Sequence, residues 1–573
     1  MLHRPTITSI AFGEIEHSAN EVNTFQVEFD YENFATKPTT IDSMRLYYPD
    51  EDGKMRRVNS VLSNLYGVLE IDKPNNKAGL KDFPEYPIFR SERGSEVTYD
   101  KPSTHNGVYK ADDFKFVVDP FEIDSLDNFT VEGLQFDGTF ISADIFPDFK
   151  YKLSIQEDFS LGFKKASPPS GYAMYMGKGQ GFMDINLSNE GLYGSGRIEY
   201  SGTTIESESF LLLPNKTVAK ANKFTVPEDG KYPAVVGANL GTTWSPYEEN
   251  MSLATSNPDA TMKVFKMGYD FSGEMKVTPT SLKGNGLLAW DEAEFTSTNM
   301  VFKPNGVTAD TGAIKIFAAD TNKIAFNSSN LRSNIDFTKR EGKFTANNVN
   351  DLTYLPFNQY GSNMNDYKWN MDDKTIDINI GNMGAVKPYF VATKPGMDSL
   401  KFEAKHALFD IASGVLAIDE IPYIDVADSR VFPADGKAIV RENADMDTLY
   451  DSKIDANRID KYHQFFSCKT KIKGRNQVRA IGLFNYENKH GKQEVLFDSI
   501  YAHDKILFAD ALVEAEDDFV IDRMIGYKGI MRVRGNSKSN HLFGYVKPDH
   551  GFDSFNGQWV RYRDSIDRNN VVL

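Results

Sequence analysis

Nine histidines, one cysteine and a surplus of acidic residues are the groups in this 573-residue chain that could do acid–base, nucleophilic or metal chemistry. His406, His463, His490, His503, His541 and His550 all lie in its last third. A zinc site wants ligands at tight local spacing or on one helical face. The nearest two, His541 and His550, have neither cysteine nor helix to organise them, so these histidines read as turn or strand residues. Asp410, Asp419, Asp425, Asp428 and Asp435 carry the oxygens that calcium prefers. Their spacing matches no EF-hand loop, and Asp at a strand end caps turns through its own side chain. Cys468, within the strand-like run Phe465–Gly474, reads as a small core residue. Gly177-Lys178-Gly179-Gln180-Gly181 lacks the Lys-Ser/Thr of a phosphate loop and leads into a strand, not a helix. The expectation is no catalytic residue, no metal, no cofactor and no enzyme.

One segment could bind rather than react. Tyr354, Phe357, Tyr360, Tyr367 and Trp369 stand beside Asn358, Gln359, Asn363 and Asn365. Flat rings cover the C–H faces of a sugar while amides pair with its hydroxyls, which makes the five aromatics candidate glycan contacts. The plainer reading is a loop pinned by its rings.

The elements that must position all these groups are strands. Aromatics reach 13%, with 41 Phe and 27 Tyr, and suit a pleated, half-buried surface. Phe25, Val27 and Phe29 alternate with Gln26, Glu28 and Asp30. Asp50-Glu51-Asp52-Gly53 between two strand-like runs signals a hairpin. Only Met446–Asp455 is expected to form even a short helix. A gap-free repeat gives the strongest signal. Leu192, Gly194, Gly196, Ser207, Pro214, Asn215 and Ala219 recur as Leu282, Gly284, Gly286, Ser297, Pro304, Asn305 and Ala309. Between them Ile198 matches Leu288, Tyr200 matches Trp290, Ile205 matches Phe295, Phe210 matches Met300, Leu212 matches Phe302 and Val226 matches Ile316. A long period carrying short strands and glycines points to an all-β, elongated array of repeated antiparallel units, β-solenoid, β-taco or β-jelly-roll-like, with very little helix.

The length suggests roughly three to five domains. The expected division is an N-terminal β region over 1–164, a linker at 165–171, repeat units over 172–258 and 259–350, a connecting region over 351–399, and a third style of repeat over 400–573. The net charge of −17 and the lack of a dense Lys/Arg block argue against nucleic acid as a partner. No run approaches the ~20 apolar residues of a membrane helix. The start has no apolar signal-peptide core, so either a cytoplasmic protein or an interior piece of a longer exported one is expected, and the last residues, which read as interrupted strand, favour a fragment.

In the third repeat, Ala407-Leu408-Phe409-Asp410, Gly414-Val415-Leu416 and Ile424-Asp425-Val426-Ala427-Asp428 follow a grammar of strand, turn, strand. Over 400–530 this resembles the organic-solvent-tolerance (OstA) and lipopolysaccharide-transport periplasmic domain. Through the runs Pro120–Phe129, Gly194–Asn215 and His406–Pro433, the whole chain resembles large uncharacterised β-rich envelope proteins of Bacteroidota. The resemblance implies a place in the periplasm or outer membrane, lipid or other envelope proteins as partners, and a groove that shields lipid. The groove candidates are Phe210, Leu212, Phe302, Val415, Ile424 and Val426, with a closed dry core as the plainer reading. The expected function is a non-enzymatic envelope scaffold or bridge that shields or conducts lipid. The alternative is a surface carbohydrate-binding or adhesion module. Oligomeric state is left open.

Overall fold

The computed structural model describes residues 88–123, 134–256, 260–318, 323–382, 384–549 and 557–567, together with strand segments within 10–70. The regular elements among them are strands, with five single-turn 3-10 helices. Two compact units emerge, one of residues 1–268 and 272–283, the other of 269–271 and 284–573. Of residues 165–171, expected to be a linker, Lys165 ends strand Leu161–Lys165 and the rest form a short loop before strand Tyr172–Met174, all inside the first unit. Met446–Asp455 is not helical; most of it lies in strand Leu449–Ala456. Ser43–Pro49 pairs antiparallel with Met55–Leu62, Pro49 opposite Met55, while residues 50–53, where the turn was expected, lie outside the described residues.

In the first unit the repeat is built from β1 (Gly179–Ser188), β2 (Gly191–Tyr200), β3 (Thr203–Leu213), β4 (Lys216–Ala221) and β5 (Lys223–Val226). β3 pairs with β2 along one edge and with two successive partners along the other. Residues 204–206 pair with β5 and residues 210–213 with β4. One edge of the strand therefore serves two different partners within a single sheet, and the repeated residues lie at that switch. The register of β2 against β3 shifts between Gly194 and Gly196. A Cβ on Gly196 would stand 2.3 Å from the Phe182 carbonyl oxygen, so only glycine lets the strands approach. Ser207 accepts the Ser209 N–H at 3.1 Å and donates to the Lys220 carbonyl at 2.9 Å, clamping the outward bend of β3.

The second copy repeats the clamp. Ser297 in β6 (Ala293–Lys303) accepts the Asn299 N–H at 3.1 Å and donates to the Thr311 carbonyl, at 2.6 Å, in β7 (Gly306–Phe317). Every apolar pair that the sequence aligned, from Ile198 with Leu288 to Val226 with Ile316, is buried in both copies. Pro214-Asn215 and Pro304-Asn305 each close a hairpin, with Leu213 opposite Lys216 and Lys303 opposite Gly306.

Further along the second unit, strands are added to two ladders of one sheet in alternation. β8 (Ile324–Asp336), β9 (Glu341–Ala346), β10 (Asp366–Asn370), β11 (Thr375–Asn379), β12 (His406–Asp410) and β13 (Val415–Asp419) pair in chain order. Thr353–Leu355, Tyr360–Ser362, Tyr389–Ala392 and Lys401–Glu403 form the other ladder, joined to β8 where Asn327 pairs with Tyr354. The turns on one side stack. Met371 N–H donates to the Arg340 carbonyl and Ile411 N–H to the Lys374 carbonyl, both at 2.9 Å. Arg340 also donates to Glu292 at 2.7 Å and Asp372 at 2.6 Å, tying successive rungs. Beneath them Trp290 packs on Phe337 and Trp369 at 5.3 and 6.1 Å.

The last sheet of this unit also grows in chain order. Its later strands are β14 (His463–Gly474), β15 (Gln477–Asn488), β16 (Gly491–His503), β17 (Ile506–Val513), β18 (Ile525–Arg534), β19 (Asn540–Pro548) and β20 (Val560–Ile566). Val478, Ala480, Phe484, Phe497, Ala509, Met531 and Leu542 fill its inner face.

Candidate functional site

Of the apolar candidates, Phe210, Leu212, Phe302, Ile424 and Val426 are buried and Val415 is half-buried. Ile424 and Val426 sit on a short strand paired with Ser429–Phe432, a different sheet from Val415 on β13. The candidate glycan aromatics divide as well. Tyr354 is exposed and Phe357 half-exposed, while Tyr360, Tyr367 and Trp369 are buried. Tyr367 and Trp369 share the inner face of β10 because they are two residues apart on a strand. Asn358, Asn363 and Asn365 are buried too, while Gln359 is half-buried. Asn358 donates to the carbonyls of Gly414 at 2.9 Å and Val440 at 3.1 Å. The five rings do not form one exposed face.

The titratable candidates have structural partners. His406 on β12 reaches Asp377 on β11 through Nε2 at 2.8 Å and Asp419 on β13 through Nδ1 at 3.1 Å. Burial disfavours the charged ring, but the two carboxylates outweigh it and hold the pKa above its ordinary value. Both nitrogens are occupied, so the ring works as a cationic link across three strands. Asp410 Oδ1 accepts the Ala412 and Ser413 N–H groups at 2.9 and 3.1 Å, capping a turn. Asp425 holds Arg430 bidentately at 2.8 and 3.3 Å. Asp428 accepts the Leu507 N–H at 2.8 Å. Asp435 lies in a single-turn 3-10 helix at φ 54°. His463 is buried against the Ser537 carbonyl at 2.8 Å, and His490 meets Asp522 at 2.8 Å. His503 meets its neighbour Asp504 at 3.2 Å, and His541 lies beside Ser565 on β20. His550 lies outside the described residues. Cys468 is buried, which pushes its thiol up to about 12. Among the described residues no His, Cys, Asp and Glu side chains gather as a metal site.

The chemistry concentrates on the outer face of β14–β20. Register lines up rows of side chains across the strands. In one row Arg479 faces Tyr501, Tyr501 faces Phe508, and Phe508 faces Arg534. The two rings stack at 5.7 Å and 14°, with Arg479 5.3 Å from one and Arg534 5.6 Å from the other. A second row is apolar: Leu483 opposite Leu496, then Leu512 opposite Ile530 and Ile530 opposite Phe543, ending at Arg563. A third holds Lys528, Tyr545 and Arg561, with Trp559 4.6 Å from Lys528. Between Leu483, Leu496 and Leu512 lies a hollow of about 660 Å³ whose rim carries Glu494, Asp498, Glu514 and Asp517.

This face is invisible as a block in the sequence because each strand contributes alternate residues. Lys528, Arg532 and Arg534, then Arg561 and Arg563, are separated by apolar or ring residues, and only the register collects them. Alternation of cations at every second position of a strand is the one signal that could have found it. No protein-family model, no curated protein and no solved structure matches the chain.

Proposed function

We propose that the chain is a non-enzymatic scaffold or bridging protein of the cell envelope, placed in the periplasm or at the outer membrane by the family resemblance. The observation that carries this reading is the ladder. Hairpins are added largely in chain order, and inner faces are filled with apolar side chains. A lipid-shielding form of the reading needs the six apolar candidates to border an open cleft. Five of them are buried, which favours the filled scaffold. The His406 link, the capped Asp410 and the inert Cys468 are all accounted for by holding strands together.

The test is expression in the envelope of a Gram-negative host, followed by cross-linking in place and mass spectrometry of organic extracts of the purified chain. The reading expects discrete cross-linked protein partners and no stoichiometric lipid. About one lipid per chain would overturn it in favour of a conduit. Glycan binding lost on Tyr354→Ala, without protein partners, would overturn it in favour of an adhesion module.

A further inference from the structure

We propose that the outer face of β14–β20 is a homotypic interface, occupied by the same face of a second copy of this chain. Leu496, Leu512 and Ile530 are 55%, 57% and 44% exposed on three successive strands, flanked by Leu483 and Phe543. A continuous exposed apolar row of this kind marks a contact surface. Charge along it is segregated. Glu494, Asp498, Glu514 and Asp517 rim the hollow at the β16–β17 end, and Lys528, Arg561 and Arg563 stand at the β18–β20 end. Glu494, Asp498, Lys528, Arg561 and Arg563 have no oppositely charged partner within 4.0 Å among the described residues.

Opposite charges at the two ends of one apolar row make the face complementary to itself, as a two-fold interface requires. An axis along β17 lays β16 over β18 and β15 over β19. Leu512 then meets its own counterpart, Leu496 meets Ile530, Leu483 meets Phe543, and Glu494 meets Lys528. Tyr501 likewise comes over Arg534, which extends the ring–cation row. An anionic bilayer fits less well, because the carboxylates around the hollow would face it. Strands about 4.8 Å apart, each giving about six residues at ~3.3 Å, span roughly 700 Å² from β14 to β20. That is close to the ~800 Å² per partner of a stable interface. The inference stands apart from the scaffold reading, since a dimer forms or fails whatever the envelope partners are.

The experiment is sedimentation velocity of the full chain over about 1 to 100 µM. A dimer is expected. Leu512→Glu, at an exposed position, should leave the β circular-dichroism signal intact and give a monomer. Glu494→Lys and Lys528→Glu should each weaken the dimer by about tenfold or more, and the combined variant should restore it. A monomer at every concentration overturns the proposal, as does a dimer indifferent to Leu512→Glu. Failure of the combined charge swap to restore association overturns the pairing. Sedimentation of a monomeric chain with phosphatidylglycerol vesicles, lost in Leu512→Glu, overturns it in favour of a membrane face.

Discussion

Phe302 separates a packed interior from an open groove. Its ring is 2% exposed and meets Phe271 edge-on at 5.4 Å and 86°. A Cβ added to Gly284 would come within 2.7 Å of it, so no space is held open on that side. Truncation of a packed phenylalanine to alanine costs about 3–5 kcal/mol. The edge-on ring contact, worth about 0.5–1.5 kcal/mol, places Phe302→Ala near the middle of that range, at about 4 kcal/mol. A ring lining a wet groove would lose less than about 1.5 kcal/mol. Hydrogen exchange read by mass spectrometry on peptides from β6, β7 and β8 reports the loss locally. At about 1.4 kcal/mol per decade, protection there should fall by roughly 10²–10³-fold. Peptides from β2 and β3, in the other unit, should be unchanged. A fall of less than about tenfold would refute the packed-interior argument.

The His406 link predicts a pH dependence with a defined sign. Because the folded pKa is raised, its stabilisation is complete below the unfolded value of about 6.5 and disappears as pH climbs through the higher folded value. Thermal midpoints should therefore decline above about pH 6.5, and His406→Gln should remove that decline; a wild-type curve flat across the window would contradict it. Gly196→Ala forces a side chain at φ 147° against a carbonyl oxygen and should cost about 2–4 kcal/mol. Gly177→Ala, at φ 82° with open space around it, should cost about 1–2 kcal/mol, and equal losses in urea unfolding would refute the close-approach argument. Cys468, with its thiol pushed up to about 12 by burial, should resist iodoacetamide until the chain is unfolded. Native labelling at the rate of a free thiol would count against its core position.

The strand content, the pairing of Ser43–Pro49 with Met55–Leu62 and the burial of the repeat's aligned residues were legible because they depend on local alternation and turn chemistry. Leu288 behind Ile198 and Phe302 behind Leu212 needed only a matched period. The role of Ser207 and Ser297 was not legible, since a strand bend clamped by a hydroxyl has no composition signature. Residues 446–455 were misread because Asp447, Asp451 and Asp455 mimic a polar helical face. In the strand, Ile454 and Asp455 are both buried, the acid bonded by Gln464 at 3.1 Å. The aromatic segment misled for a related reason. Its density suggested display, yet Tyr360, Tyr367 and Trp369 are what this part of the core is made of. For the outer face of β14–β20 the sequence held only the alternation of cations along single strands, because collecting them into one face depends on which strand lies beside which.

The ladder of chain-order hairpins has a consequence for how such a molecule is made. Most partners are close in sequence: β6 meets β7 through a Pro-Asn turn, and β15 meets β16 between Asn488 and Gly491. Little loop entropy must be spent before each pairing is rewarded, so folding should proceed hairpin by hairpin instead of waiting for distant strands. Each finished rung presents an edge that the next can extend. A chain of this kind can acquire structure progressively from one end as it is synthesised, and can lengthen by copying a segment whose seams already match. The two clamped bends at Ser207 and Ser297 are what such a copying event would leave behind.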